Sequence, residues 1–400
     1  MKSYSQQTLI YRDIVKLLNQ RTYSPDYKDS LFKGAWGALF YLFYYEQYID
    51  DKENHAYTYL EQLYDEFDPA AMGNYSYCTG STGPFWLLHH LNKHNFIDID
   101  INDLTTDFMT AAMIDSECYL SHHDFDFLHG SAGICHFLLE FADRHDVREH
   151  LGKFVMALKE RSYMTEKGRS MPVFFMLDPT AQKGIDAFSL AHGACSLQIL
   201  LTKIFEAGIM QQTCKQLIEE SMEFILSYKN PDSFTSLQAL FPDKLDGYPC
   251  YDRLSWCYGD LSVAWSLWYC GKYFKEDRWM RQALEIMHHN RKRNTENTSG
   301  IVDTCLCHGS SGAATMYRRF WYETNDKGFY NCAIDWHQLA LKKIVFPDEN
   351  NIHGIKSWRR DDKQWDYCWD LLDGSCGVGL SLISHTHPAP LSWDEFLLLS

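Results

Sequence analysis

Cys257, Cys307 and His308 make a coherent candidate metal-binding set in this chain. Two thiolates and one imidazole form a known catalytic zinc set, with three protein ligands and a fourth position left for water or substrate. Their spacing is unlike that of a zinc finger, because roughly fifty residues separate Cys257 from Cys307. Taken singly, a buried cysteine is usually a small hydrophobe, and a histidine at a helix start is usually a cap or a satisfied polar group. Cys305, two residues before Cys307, competes as a ligand but is expected to point elsewhere. A second group offers acid/base chemistry: Asp126 in DFDFLHG and His192 in LAHGA make a candidate pair. Arg253 and Tyr258 bracket Cys257 in DRLSWCYG and could steady a developing anion. On the plainer account, Asp126 caps a helix and Arg253 pairs with a nearby carboxylate.

What unites these residues is a repeat. A helix-opening phrase, often Gly-x-x-Gly, begins at Gly34, Gly80, Gly130, Gly193, Gly259, Gly309 and Gly374, each time in front of an apolar stretch. The residues just before those glycines are Lys33, Thr79, His129, His192, Tyr258, His308 and Asp373, and Cys257 and Cys307 come one step earlier. Equivalent positions in neighbouring repeats turn distant residues into candidates for one site. A period of roughly fifty to sixty residues means units too small to bury their own hydrophobic face, so the core comes from neighbours.

Amphipathic segments lie between the glycine phrases, at Gln7 to Asn19, Ala56 to Phe67, Asp103 to Tyr119, Val147 to Arg161, Thr213 to Tyr228, Asp277 to Asn290 and Tyr330 to Val345. They read as outer helices, with one buried stripe and one wet face. The segments after the glycines are apolar nearly all round and read as inner helices. Seven outer-inner pairs in chain order predict an all-α fold, an α/α toroid with the inner N-termini at one mouth. An open superhelix is the alternative, but solenoids have polar end caps and the last inner unit here is as apolar as the others. The chain reads as a single domain over 1–400. Two long intervals, 164–190 with its strand-like MPVFFML and 230–256 with FPDKLDGYPCYDRLSW, read as irregular insertions and binding lids, and Lys356 to Asp370 reads as a third approach to the mouth.

The formal charge of −16, from 37 basic and 53 acidic side chains, argues against nucleic acid or an anionic membrane as the main partner. Met1 to Gln20 mixes charges throughout and resembles neither a secretion signal nor a membrane span, so the expected location is cytoplasmic. Thirteen cysteines, an odd number, fit reduced thiols better than a disulfide framework.

In their order and spacing, Asp126 to Gly130, Ala191-His192-Gly193, Trp256-Cys257-Tyr258-Gly259 and Cys307-His308-Gly309 resemble the motifs of lanthionine synthetase C, the cyclase family that forms thioether rings in lanthipeptides. The resemblance runs over nearly the whole chain. It implies a stand-alone cyclase of the class I type with one Zn2+ per chain, held by Cys257, Cys307 and His308. A cysteine of a dehydrated precursor peptide, carrying a leader, would add to dehydroalanine or dehydrobutyrine. His192 would protonate the enolate, Asp126 would orient His192 or help deprotonate the thiol, and Arg253 and Tyr258 would steady the enolate oxygen. Relatives work beside a separate dehydratase and an exporter, and any membrane association would come through such a complex. The chain departs from the pattern where the fourth and fifth phrases lack the second glycine, and where His129 stands at a position often acidic in relatives.

Three other readings stay open at this point. A relative adds glutathione to dehydroamino acids in proteins with the same zinc chemistry. A peptide-binding scaffold would keep the toroid without the chemistry. A zinc-free toroid acting on glycans would need placed carboxylates, such as Asp126 and Asp373, but leaves two cysteines beside a histidine unexplained.

Overall fold

The computed structural model describes residues 2–21, 28–173, 184–231, 239–245, 253–346, 353–359 and 363–400. It divides into two compact units, one of Met1–Asn74, Cys78–Ile101 and Ile301–Ser400, the other of Tyr75–Tyr77 and Asn102–Gly300.

In the first unit the outer helices α1 (Lys2–Gln20) and α3 (Ala56–Glu66) alternate with the inner helices α2 (Ala35–Tyr48) and α4 (Thr82–Lys93). Every residue of α2 from Ala35 to Tyr45 is buried, whereas α3 buries only Ala56, Tyr59 and Leu63. This is the all-round apolar and one-stripe contrast expected from the sequence. The second unit runs through α5 (Ile101–Ser121, from Asn102), α6 (Ser131–Leu138), α7 (His145–Arg161), α8 (Ala194–Glu206), α9 (Gln211–Leu226), α10 (Asp260–Phe274), α11 (Asp277–Asn290) and the short α12 (Glu296–Ser299). The first unit resumes with α13 (Ser310–Thr324), α14 (Lys327–Lys343) and α15 (Ser375–Thr386). All seven expected outer helices are present, and α11 has the expected bounds.

The last inner helix, α15, packs beside the first, α2, as well as against α1 and α13. A Cβ at Gly379 of α15 would run into the ring of Tyr41 on α2.

Five of the inner helices start in the same way. The amide one residue past the capping glycine donates to a carbonyl seven residues back, as in Ala35 to Lys28 (2.8 Å), Ser131 to Asp124 (3.1 Å), Ala194 to Ala187 (3.0 Å) and Ser310 to Asp303 (3.1 Å). The loop thus closed presses a carbonyl onto the next turn of the helix. A Cβ at Gly37, Gly133, Gly312 or Gly377 would overlap the carbonyl oxygen of Leu31, Phe127, Leu306 or Leu371, in each case six residues earlier. That explains the second glycine. Where the fifth phrase has Ser262 instead, its hydroxyl donates to the carbonyl of Trp256, again six residues earlier, at 2.6 Å.

The expected irregular intervals contain more regular structure than composition suggested. In the second unit β1 (Tyr163–Thr165) and β2 (Gly168–Ser170) form a hairpin, and Val173 pairs with Ile185. The two insertions also meet: Ala187 bridges Lys244, Phe188 N–H donates to Asp243 O at 2.8 Å, and Leu245 N–H to Asp186 O at 2.9 Å. Residues 174–183, with the remainder of MPVFFML, and residues 232–238 and 246–252 of the second insertion lie outside the described residues. In the first unit the acidic, aromatic third approach is a hairpin of β3 (Ile355–Arg359) and β4 (Gln364–Cys368), with Trp358 opposite Trp365. Cross-strand aromatic pairing accounts for this, a preference that charged neighbours hide in the sequence.

In the second unit a buried ion pair fastens the start of α10. Asp260 Oδ2 accepts from Arg293 Nη1 at 3.0 Å, and Asp260 Oδ1 accepts from the amides of Leu240 (3.0 Å) and Phe241 (2.8 Å). Arg293 also donates to Thr298 O at 2.9 Å and Asn290 Oδ1 at 3.0 Å. Both charged side chains are essentially inaccessible, so each depends on the other.

Three substitutions test these contacts through their effect on stability. Gly133→Ala should lower the melting temperature, with a cost of about 1–3 kcal/mol for forced overpacking. Gly152→Ala on α7, whose new Cβ meets only Met210 Cγ at 3.9 Å, should raise it by removing about 0.5–1 kcal/mol of helix penalty. Arg293→Met should cost about 3–5 kcal/mol by stranding the Asp260 carboxylate; a melting curve unchanged from the parent would show that the pair carries no such weight.

Candidate active site

The loops before the inner helices share a second device. The side chain four residues ahead of the capping glycine accepts the amide of the residue directly ahead of it. Asp126 Oδ1 takes His129 N–H at 2.7 Å, Ser189 Oγ takes His192 N–H at 2.7 Å, Ser255 Oγ takes Tyr258 N–H at 3.2 Å, Cys305 Sγ takes His308 N–H at 3.4 Å, and Asp370 Oδ1 takes Asp373 N–H at 2.7 Å. These are side-chain turns of the Asx and Ser type, which fix a backbone that helix bonding cannot reach. Each sets the residue before the glycine, the position singled out as chemically interesting in the sequence.

In the second unit the device brings the expected acid/base pair together. Asp126 Oδ2 lies 2.8 Å from His192 Nδ1, and Oδ1 is held by the amides of Leu128 (2.9 Å) and His129 (2.7 Å). The Asp126 side chain is fully buried, whereas that of His192 is 21% exposed. Burial alone would push the His192 imidazole down, but the Asp126 carboxylate outweighs it and raises the pKa above the ordinary histidine value. The His129 ring stacks on His192 with centroids 5.9 Å apart, and the Tyr258 ring lies 5.8 Å away on a tilted plane. Asp126 therefore both turns its own loop and orients the histidine of the next.

Cys257, in the same unit, is nearly buried, and its thiol lies 3.5 Å from Ser255 Oγ. Its carbonyl accepts the Ser189 hydroxyl, and Ser189 Oγ also takes the amides of Ala191 (3.0 Å) and His192 (2.7 Å). Ser189 therefore ties the His192 loop to the Cys257 loop, a role that sequence reading missed. Arg253 is half-buried.

In the first unit Cys307 and His308 share a loop anchored by the amides of Leu306 and Cys307, which both donate to Leu372 O at 3.1 and 2.9 Å. The His308 side chain is 14% exposed, and its Nε2 lies 3.7 Å from Oδ2 of the fully buried Asp303. Asp303 also accepts Trp358 N–H at 2.9 Å and Cys305 N–H at 3.3 Å. Burial would raise this carboxyl, but His308 and the amides hold it below the usual range. Asp303 is a second residue missed in the sequence, where it stood as one carboxylate among many. Cys305 is turned toward the His308 amide, and burial pushes its thiol up to about 12. Asp373, weighed as a glycan carboxylate, is committed to an ion pair with Lys33, which also reaches Asp370 at 3.1 Å.

The twelve cysteines among the described residues are all free thiols. Among the same residues no helix is long and apolar enough to cross a membrane.

A family model described as Lanthionine synthetase C-like protein matches residues 25–398. A solved structure titled Nisin cyclase aligns with a TM-score of 0.72 at 18% sequence identity, covering 97% of this chain and 97% of that one. No curated protein sequence matches. The structural likeness gives the fold as the α/α toroid expected from the seven outer-inner pairs. With its family model spanning nearly its full length, the chain belongs to the lanthionine synthetase C-like family.

Proposed function

We propose that this protein is a zinc-dependent lanthipeptide cyclase, which adds a cysteine thiol of a dehydrated precursor peptide to a dehydroalanine or dehydrobutyrine in the same peptide. The observation that carries the reading is the Asp126–His192 hydrogen bond of 2.8 Å, an oriented acid/base pair on a loop built to the plan of the loops bearing the cysteines. Cys257, Cys307 and His308 are the donor types that could hold the metal. Two thiols and an imidazole suit zinc, and the carboxylate of Asp303 behind His308 is the kind of outer partner that orients a ligating imidazole. When bound, zinc would lower the pKa of a substrate thiol and hold it as the nucleophilic thiolate at neutral pH.

The remaining steps fall to the chain. The thiol proton leaves sulfur, a bond forms between sulfur and the β-carbon, and the alkene electron pair moves toward the amide carbonyl as an enolate. Arg253 and the Tyr258 hydroxyl would receive that charge. His192, whose protonated form Asp126 favours, would deliver a proton to the α-carbon, restoring the carbonyl and leaving a thioether. His192 recovers its proton from the medium, so none is consumed overall. The net negative surface suits a leader with positive charge, and the insertions at 164–190 and 230–256 are the segments proposed to hold it. A dehydratase and an exporter are the partners proposed alongside.

Cyclisation leaves peptide mass unchanged but removes a free thiol, so it is read by the loss of alkylation. With a dehydrated cysteine peptide, His192→Ala should keep its zinc and lose about 10²–10⁴-fold in rate, the span of a general acid. Cys307→Ala should lose the thiolate-bound zinc, seen as loss of thiolate-to-cobalt absorption after Co2+ replacement, and that absorption retained would overturn the ligand set. Adducts formed only with added glutathione, and no intramolecular ring, would replace the cyclase reading with that of a glutathione-adding relative.

The pH profile tests the pair separately. Activity that needs protonated His192 falls as pH rises through its raised pKa. Asp126→Asn removes the raising influence, so the alkaline limb of kcat/KM should move to lower pH. A limb that stays in place would remove His192 from the role of acid.

A further inference from the structure

At the far end of α4 from its glycine start, His90 and His94 stand one helical turn apart on one face. Facing them is Glu395, from the 3-10 segment Ser392–Leu397 near the end of the chain. His90 Nδ1 lies 3.1 Å from Glu395 Oε2, and His94 Nε2 lies 3.1 Å from Glu395 Oε1. One nitrogen of each histidine and one carboxylate oxygen lie within 4.8 Å of one another. All three residues belong to the first unit and none takes part in the chemistry above.

We propose that His90, His94 and Glu395 form a second metal site, for a borderline divalent cation such as zinc, which fastens the C-terminal segment to α4. Three features of the cluster support this. Two imidazoles and a carboxylate are the ligand set that zinc and its neighbours in the transition series take, with room left for water. The His90 ring is fixed before any ion arrives: it is 1% exposed, stacked on Trp86 with centroids 4.9 Å apart, and edge-on to Phe40 at 5.1 Å. Its Nε2 is 3.0 Å from the Tyr44 hydroxyl, so with Nε2–H donating to Tyr44, Nδ1 turns its lone pair toward the carboxylate. That arrangement, one ring nitrogen on the metal and the other on an oriented partner, is typical of ligating histidines. Without an ion, imidazole N–H groups can donate to the two carboxylate oxygens across the same 3.1 Å contacts, and a bound cation would take the place of those protons. Lys93, whose Nζ lies 3.8 Å from Glu395 Oε2, is 42% exposed and can swing to solvent.

The cation would complete a clasp that packing has begun. Phe396, next to Glu395, sits against Phe32 at 5.3 Å, Phe40 at 5.8 Å and Trp86 at 6.4 Å. The bound ion would add to this a cross-link between residues roughly three hundred positions apart in sequence, whose loop-closure entropy is correspondingly large.

The test is metal content and cobalt absorption of the full-length protein. The parent should bind two equivalents of Zn2+. His94→Ala and Glu395→Gln, both at partly exposed side chains, should bind one and keep the thiolate-to-cobalt absorption after Co2+ replacement. Cys307→Ala should also bind one and lose that absorption. A chelator should lower the melting temperature of Cys307→Ala, and adding His94→Ala should abolish that shift. A parent with one equivalent, lost wholly in Cys307→Ala and untouched in His94→Ala, would overturn the second site and leave the first standing. One equivalent lost in His94→Ala and kept in Cys307→Ala would support this site and overturn the thiolate site instead.

Discussion

The structure rests on one close approach, a loop carbonyl laid against the first turn of an inner helix where no Cβ is tolerated. At Gly37, Gly133, Gly312 and Gly377 the oxygen six residues back takes the space a side chain would fill. Dispersion and local hydrogen bonding then hold the loop so firmly that the residue before the helix has little freedom. Because the approach recurs in four of the seven repeats, the chain gains a set of equivalent, rigid perches. Such rigidity suits the placing of acid, base and metal ligands, since catalysis by positioning fails with displacements on the order of 1 Å.

Within that frame the side chains work in pairs, each carboxylate serving the backbone of its own loop and the imidazole of another residue. Asp126 does this for His192, and Asp303 does it for His308. Both are fully buried, so their charge acts at short range in surroundings that screen it weakly. The ion pair of Asp260 and Arg293 has a different purpose: it binds residues 240–241 of an insertion to the start of α10, two residues beyond Tyr258.

Much of this was legible from residue order because the repeat made it so. Outer helices such as Asp277–Asn290 declared themselves by period, and the glycines marked inner helix starts to within a residue or two. His192 and Asp126 could be paired because both lie in the helix-opening loops of adjacent repeats. Ser189 was not found, although a hydroxyl, thiol or carboxylate stands four residues ahead of each phrase's glycine, at Ser30, Ser76, Asp126, Ser189, Ser255, Cys305 and Asp370, whereas Asp303, six residues ahead of Gly309, stands outside that column. That column was readable in principle. The bond from Asp303 to the Trp358 amide was not, because β3 itself was hidden: Ile355 and Ser357 alternate inward, but Lys356, Arg359 and the acidic residues that follow give the segment the composition of a loop.

The packing of α15 against α2 also governs how the chain can be made. Helix α2 is apolar on every side, yet one of its neighbours lies more than three hundred residues downstream. During synthesis at about 5–20 residues per second, that flank stays uncovered until Ser375–Thr386 has emerged. The nascent chain therefore carries an adhesive surface for tens of seconds, and the amino-terminal repeats are the part most in need of a chaperone.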